Sequence, residues 1–540
     1  MDPGRRDWPV TIDSGERPDP GAPDGGAAAS PTAAHVVTED HPSIPATTVR
    51  VDPQPAGLPD RYKWVAMAVI FVGTFMVILD TTIVNVALPQ IGIALDDAAG
   101  IEWVVTAYLL AVGVGLPATG WLADRYGRKQ IFVASLTIFT LASLGAALSP
   151  NLSVLVAVRV VQGLGGGAMM PVGMAMIYEL FPPHRRGTAL GIWGVAAMAG
   201  PAFGPVIGGY LVTEVSWHWL FLVNVPIGAA AITLAVRLLR DTGYREARPF
   251  DAPGLALAAT ALAGWLYAFS SASDWGWMSP PTLALLGGGT VLLALFVRRE
   301  LRIPHPLIQL RIFTVRLFTL TIVIGWAVVI LQYARMVFLP LELETLRGMT
   351  ALEVGVLFIP SAAAAAVTFF FGGRLTDRIG PRIPVMCGAA LLTTAALILG
   401  TLDPDTALGI VLVGMIVQGF GSGFALMPVA VTGMNSLPGR YVAQASAVRN
   451  LNSRVAASFG IAVLASIVAT QMGSVSAEAA TSPVQQATAQ SAYNSVFLIG
   501  AAGTVVAFVL AFFLPNAEQN RALHAARADE HDTADFDLDV

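Results

Sequence analysis

Gly120-Trp-Leu-Ala-Asp124-Arg125-Tyr-Gly127-Arg128-Lys129 returns 253 residues later as Gly373-Arg-Leu-Thr-Asp377-Arg378-Ile-Gly380-Pro381-Arg382. Each copy is a short charged loop, punctuated by glycine and flanked on both sides by long apolar stretches. A second pair repeats at nearly the same offset: Val161-Gln162-Gly163-Leu-Gly165-Gly166-Gly167 and Val417-Gln418-Gly419-Phe-Gly421-Ser-Gly423 lie 256 residues apart. Two separate matches at one offset indicate a duplicated unit, and internal duplication is how many transporter folds are built.

Outward from these loops the chain reads as fourteen apolar segments of spanning length. They lie near 64 to 88, 101 to 122, 131 to 149, 152 to 177, 187 to 212, 217 to 239, 252 to 270, 282 to 298, 315 to 341, 353 to 372, 383 to 402, 406 to 432, 441 to 470 and 492 to 514. About 20 residues suffice to cross a hydrocarbon core of about 30 Å. The expected fold is an all-α polytopic membrane protein with 14 transmembrane helices: two six-helix pseudo-symmetric halves plus two inserted helices. Like-oriented halves require an even insert, and two spans satisfy that. The expected organisation is a disordered cytoplasmic tail (1-62, with eleven prolines), a first half (63-240), the inserted pair (241-300), an arginine-rich cytoplasmic linker helix (301-314), a second half (315-515) and a cytoplasmic tail (516-540). Residues 471 to 491 read as a polar outer loop.

Composition agrees with a lipid environment. Of 540 residues 55% are hydrophobic and 12% charged, with a mean hydropathy of +0.66, against about 25% charged in soluble domains. Soluble enzymes and nucleic-acid binders are excluded on that ground. Of the 31 basic residues, 26 fall in the tails and in the loops after even-numbered spans, which makes that side cytoplasmic and places both termini there. Arg159, Arg335, Arg449 and Arg454 lie inside spans, and only Arg347 falls in a loop of the other side. The net charge of -5 is the sum of acidic tails and outer loops over a basic cytoplasmic face. Cys387 is the single cysteine, so no intrachain disulfide or Cys/His metal cluster is expected. No phosphate-binding Gly-x-x-x-x-Gly-Lys-Ser/Thr loop occurs, so ATP drive is unsupported and no cofactor is expected.

Asp80 is the one carboxylate well inside an expected span; Glu179, Glu214, Glu342, Glu344 and Glu353 read as span-end residues. An ionised Asp in hydrocarbon costs on the order of 2.5 to 3.5 kcal/mol, so such a residue faces the bundle interior and serves a pathway. A hydrogen-bonded structural aspartate is the competing reading. Counting from Trp64, Asp80 stands about 24 Å up the first span, and Arg159 about 10 Å down the fourth, at 1.5 Å per residue. The two opposite charges therefore share a level. A nearby Arg and desolvation act oppositely on an Asp, and their balance changes when water or a substrate enters. This is the property a proton exchanger needs, with Asp80 as proton carrier and Arg159 tuning it.

The residues resemble the major facilitator superfamily, specifically its fourteen-span drug:proton antiporter branch. Gly120 to Lys129 is similar to the superfamily's signature loop, and Leu79-Asp80-Thr-Thr-Ile-Val-Asn85-Val-Ala-Leu-Pro89 to the branch's first-span motif. Arg159-Val-Val-Gln162-Gly163 resembles the fourth-span motif of proton-coupled members, and Gly204-Pro205-Val-Ile-Gly208-Gly209 the fifth-span antiporter motif. Trp217-His218-Trp219-Leu-Phe-Leu-Val-Asn224-Val-Pro226-Ile-Gly228 is similar to the sixth-span entrance, with His218 where Arg is usual. The resemblance implies a proton-coupled antiporter in a bacterial plasma (inner) membrane, exporting amphiphilic drugs or other small molecules by alternating access. Its partners would be protons, substrate and lipid, with no nucleic acid, and it would work as a monomer. The alternatives are a dedicated exporter of one natural product, metabolite or lipid, and, of another class, a polytopic enzyme or sensor.

For the signature loops the resemblance implies a role, and the remaining roles are read from the residues. Gly120, Asp124, Arg125, Gly127 and Arg128 would form a conformational latch between the halves, with Asp377 and Arg378 an incomplete second copy because Pro381 replaces a basic residue. Gly200, Gly204 and Gly208, with Pro201 and Pro205, would be a packing face and bend. Asn85, Tyr108, Gln162, Gln332, Tyr333, Arg449 and Asn450 are candidate substrate contacts. Arg335 is expected to snorkel to the interface. No buried acidic residue is expected in the second half, which leaves room for anionic or zwitterionic substrates.

Overall fold

The computed structural model describes residues 59–95, 100–241, 249–403, 405–438, 441–473, 482–520 and 522. The two expected tails, 1-62 and 516-540, fall for the most part outside the described residues. Among the described residues every regular element is helical. This is the requirement of a chain that must satisfy its own backbone in lipid. In order the helices are α1 (Asp60–Ala94), α2 (Trp103–Tyr126), α3 (Arg128–Ala147), α4 (Leu152–Leu180), α5 (Pro183–Tyr210), α6 (Trp219–Leu222), α7 (Asn224–Leu238), α8 (Ala252–Trp275), α9 (Pro280–Glu300), α10 (Arg316–Arg347), α11 (Ala351–Ile379), α12 (Arg382–Leu399), α13 (Leu408–Asn435), α14 (Val442–Met472) and α15 (Pro483–Ala511).

Thirteen of the described segments are long and apolar enough to cross a membrane, with α6 and α7 counted as one. The remaining expected segment, 187 to 212, is the 28-residue α5. Helix boundaries have local causes. Asn151 accepts the Val154 amide at the start of α4, and Thr350 with Glu353 forms a capping box on α11. The glycines that end both copies of the signature loop, Gly127 (φ 94°) and Gly380 (φ 79°), hold conformations closed to other residues.

Helix packing repeats between the halves. The pairs α2–α4, α3–α4, α3–α7, α1–α5 and α1–α7 in the first half correspond to α11–α13, α12–α13, α12–α15, α10–α14 and α10–α15 in the second. Between halves, α5 packs on α11 and α14 on α2, again as counterparts. The inserted α8 and α9 pack on one another, and α8 leans on α2 and α14 through Trp103–Tyr267 and Phe269–Phe459 ring contacts.

The apolar core is divided unequally along the bundle. At the end carrying the two signature loops, one cluster joins both halves, running from Ile70 and Val172 through Met427, Val431 and Ala445. Toward the opposite end the clusters stay within one half, as in Ile83, Val104 and Phe221, or Phe338, Leu464 and Val496. The halves are therefore sealed at the signature-loop face.

Two expectations about loops are corrected. Residues 301-314 are not a helix but an irregular strap ending in a single 3-10 turn, Leu310–Thr314. Pro304 and Pro306 remove amide donors and push their neighbours out of the helical region, while Leu307, Ile308 and Ile312 bury beneath it. The outer loop expected over 471-491 is shorter, because α14 runs to Met472 and α15 starts at Pro483 behind its own Ser482–Gln485 capping box.

Candidate functional site

The site is built on the turn of α1 that carries Asp80. Helix α5 presses on that turn with small residues: a Cβ on Gly200, Gly204 or Gly208 would strike Ile78, Thr82 or Ile83, and the Thr82 hydroxyl donates to the Gly200 carbonyl at 3.2 Å. The expected small-residue face is thus the seat of α1. The backbone at Pro201 and Pro205 stays helical. On the other side α4 slides between α2 and α3 on its glycines, with Gly163 against the Tyr108 carbonyl, Gly165 against Phe139 and Gly167 against Val112.

That close approach delivers Arg159 and Gln162 to Asp80. Arg159 Nη1 meets Asp80 Oδ2 at 2.6 Å and Gln162 Oε1 at 2.8 Å. Gln162 Nε2 donates to Asp80 Oδ1 at 3.0 Å, and so does Asn224 Nδ2 of α7 at 3.2 Å. Ser143 Oγ of α3 accepts from Gln162 and Asn224 and donates to the Phe221 carbonyl. Arg159 Nε donates to the Val104 carbonyl at 3.0 Å, and its guanidinium lies 4.0 Å from the centre of the Tyr108 ring. Asp80, Arg159, Gln162, Ser143, Asn224 and Tyr108 are all 0% exposed. The carboxylate receives three donors, one each from Arg159, Gln162 and Asn224, so the cage matches its ionised form. Hydrogen bonds to a charged group contribute about 1.5–3 kcal/mol each, and removing one partner of a buried pair costs about 3–5 kcal/mol.

The expected Asp80–Arg159 pairing is formed. Gln162 and Tyr108, expected as substrate contacts, belong instead to the cage, because the rotation of α4 and α2 turns them to Arg159. Sequence reading gave no role to Asn224 or Ser143. Asn224 stood inside a quoted motif and could have been found there; Ser143 carries no distinguishing signal among other small residues of α3.

The other candidates lie apart from the cage. Asn85 is exposed on α1, Tyr333 is 39% exposed on α10, and the adjacent Gln332 is half-buried. Asn450 donates to the Ser446 carbonyl of its own helix at 2.9 Å. Arg449 is half-buried on α14. Arg335 does not snorkel: its Nη1 donates to Ser361 Oγ at 3.2 Å and its guanidinium stacks 4.8 Å from the Phe358 ring centre, both on α11. The expectation of no buried acid in the second half is also corrected. Glu342 is 0% exposed and accepts from Gln490 Nε2 at 2.9 Å. Helix α10 continues to Arg347, so Glu342 sits within it against α15 instead of at a span end.

At the signature-loop face the repeat is used twice. Asp377 accepts the Gly187 amide at 3.0 Å on Oδ1, and the Thr188 amide at 2.9 Å and hydroxyl at 3.1 Å on Oδ2. Gly187 and Gly373 lie so close that a Cβ on either would overlap the other's carbonyl oxygen. The counterpart Gly120 packs on the backbone of Gln444 in α14. Asp124 is buried at 4% exposure, and Arg128 reaches across to Glu179 at 2.7 Å and the Ala175 carbonyl at 3.2 Å. The copy expected to be incomplete thus grips the α5 amides through its own Asp377. Arg125 and Arg378, expected in the latch, are exposed; they serve as charge on that face. Arg186 to Asn435 and the Tyr178 hydroxyl to the Val431 carbonyl add bonds between halves.

Comparison with known proteins gives a consistent answer. Residues 70–461 match the family model described as Major Facilitator Superfamily. The chain is 31% identical to the tetracenomycin C resistance and export protein of Streptomyces glaucescens over 81% of each chain. It is 32% identical to multidrug resistance protein Stp of Mycobacterium tuberculosis (strain CDC 1551 / Oshkosh) over 76% of each. Among solved structures, the human organic anion transporter MFSD10 superposes with a TM-score of 0.58 at 18% identity, covering 84% of this chain and 100% of that one. The proton:xylose symporter XylE superposes with a TM-score of 0.56 at 16% identity, covering 86% and 99%. A multi-pass helical bundle with a duplicated six-helix plan, a buried acid–arginine cage and this span of similarity identifies the chain as a member of the Major Facilitator Superfamily, a transporter and not an enzyme.

Proposed function

We propose that this transporter is a proton-coupled antiporter that exports amphiphilic small molecules across a bacterial inner membrane, acting as a monomer with both termini in the cytoplasm. The observation that carries the reading is the Asp80 cage: a buried carboxylate on α1 held wholly by donors from α4 and α7. With the signature-loop face as the cytoplasmic one, the sealed core of that face describes an outward-facing state. Proton arrival from outside would neutralise Asp80 and remove its attraction for Arg159. The unpartnered Asn224 Oδ1 is then an acceptor beside the new carboxylic acid. The loosened cage would free α4 against α1 and let the halves rock. Substrate release outside and proton release inside would complete the exchange, with no ATP required. The names of the relatives that export tetracenomycin C or confer multidrug resistance support export as the direction.

The test is pH-gradient-driven efflux by wild type and Asp80→Asn at equal membrane content, with and without a protonophore. Asp80→Asn is expected to lose gradient-driven efflux while remaining in the membrane. Undiminished coupled efflux would overturn the assignment.

A further inference from the structure

The interior arginines do not balance. Ion pairs among the described residues use Asp60, Asp80, Glu179 and Asp251. Asp80 holds Arg159, Asp377 holds the α5 amides, and Glu342 is bonded to Gln490 near the far end of α10. None of these carboxylates meets Arg449 or Arg454, and neither guanidinium donates a hydrogen bond to any described residue. A membrane-embedded arginine left so costs on the order of 2.5 to 3.5 kcal/mol. Such a residue persists where it faces water or a charged ligand.

Its surroundings say which way the pair faces. Along α14, residues 441–448 are all buried, none more than 8% exposed, where the helix seals against the first half. From Arg449 through residue 455 every position is half-buried. The seal thus ends at Arg449, the first residue above it. Helix α14 packs on α2 and α4 of the first half, with Arg449 within the range of charge interaction of Tyr178 of α4 and Arg454 of Tyr108 of α2. Both arginines therefore look across to the first half, at successive heights about 7.5 Å apart for five helical residues. Arg454 reaches the level of the Asp80 cage, whose own charges already cancel.

We infer that Arg449, with Arg454 above it, is an oxyanion-recognition site on the floor of the space between the halves, so that the exported compound is an amphiphile carrying a carboxylate-type anionic group. This rests on the export reading above and names its substrate class. A guanidinium offers paired N–H donors matched to a carboxylate. An anion seated on Arg449 would supply the partner that the protein withholds, and it would leave when the floor opens or closes beneath it. The Asp80–Arg159 pair, whose charges cancel, adds no field that opposes an anion there.

The test uses two dyes of one xanthene scaffold, anionic fluorescein and cationic rhodamine 123. Their binding to purified full-length wild type, Arg449→Gln and Arg449→Lys is followed by fluorescence anisotropy, with size-exclusion profiles checking that each variant is folded. Wild type is expected to prefer fluorescein. Arg449→Gln should weaken fluorescein by about tenfold, the loss of one charge-assisted contact. Arg449→Lys should retain most of the affinity, and rhodamine 123 should be unaffected or bind better. Preference of wild type for rhodamine 123, no fluorescein binding, or an unchanged fluorescein affinity in folded Arg449→Gln would overturn the inference. Vesicle efflux separates the two readings. Gradient-driven rhodamine 123 export without fluorescein binding removes the anion site and leaves antiport. Arg449-dependent fluorescein binding with no gradient dependence of transport removes antiport and leaves the site.

Discussion

The two halves share a helix plan and differ in what they do with charge. Arg159 and Gln162 in α4 correspond, at the offset of 256, to Met415 and Gln418 in α13. In the first half Gln162 joins a closed cage around Asp80. In the second, Gln418 is equally buried but only reaches the Leu331 carbonyl at 3.5 Å, and its Oε1 has no partner. Duplication supplied the same glycine-lined pocket twice, and a carboxylate entered only one. The glutamine is thus scaffold in both halves, and chemistry begins with the acid that one half adds.

The sharpest way to break this comparison is to remove the acid. Asp80→Asn leaves Arg159 buried without its carboxylate and is expected to bring gradient-driven efflux to the level of cells lacking the protein. A variant that instead keeps coupled transport would mean that the halves do not divide the work in this way.

The next largest effect concerns the place where both halves use the repeat alike. Gly187→Leu or Gly373→Leu would drive a side chain into the facing carbonyl, where no flexible group can yield. Overpacking of this kind costs about 1–3 kcal/mol, and here it falls on the sealed face alone. Efflux should fall severely, while cysteine labelling from the signature-loop side becomes faster. Gly325→Leu, with nothing within 4 Å of its Cβ, is the control and should leave both unchanged.

A finer test sets the two glutamines against each other. Gln162→Ala removes one bond to an ionised carboxylate, worth about 1.5–3 kcal/mol, and should slow coupled efflux by about tenfold or more. Gln418→Ala should leave the dependence on the pH gradient as in wild type. Equal losses in the two variants would show that the second pocket also serves coupling.

Much of this arrangement was legible in the residues, and the remainder was hidden for physical reasons. The repeat of Gly120–Lys129 in 373–382 announced two halves because loops between spans must carry their own turn glycines and charge. Depth along a helix is a matter of counting, so Asp80 and Arg159 could be placed on one level. Rotation about a helix axis is not countable in a span that is apolar all round, and that is why Tyr108 and Gln162 read as cavity residues when they line the cage. Glu342 was misplaced because a span's end depends on which neighbour covers it, and α15 covers this one. The strap at 301-314 is legible in its own residues, since Pro304 and Pro306 break the helix that the arginine pattern suggests.

The smallest expected effect sharpens the comparison from outside the repeat. Asp251 caps α8 by accepting the Gly254 amide at 3.0 Å and binds Arg299 of α9 at 2.7 Å. The next residue, Glu300, accepts the Ile308 amide of the strap, whose Gln309 amide reaches Gln444 on α14. The inserted pair is thereby fastened to the second half. Burial pushes the Asp251 carboxyl up, but the Arg299 guanidinium and the Gly254 amide outweigh it and hold the group below the ordinary carboxylate range. A depressed value in the folded state gives stability that is present above the unfolded value of about 3.9 and lost as pH falls through the folded one. Arg299 is 37% exposed, so solvent screens the pair; Asn caps a helix about as well as Asp, and the loss in Asp251→Asn is that of a screened ion pair, about 0.2–1 kcal/mol. Thermal unfolding of the purified protein should show Asp251→Asn less stable than wild type at pH 7 and the difference shrinking toward pH 3. A difference that grows on acidification would mean that Asp251 is held by something other than its charge.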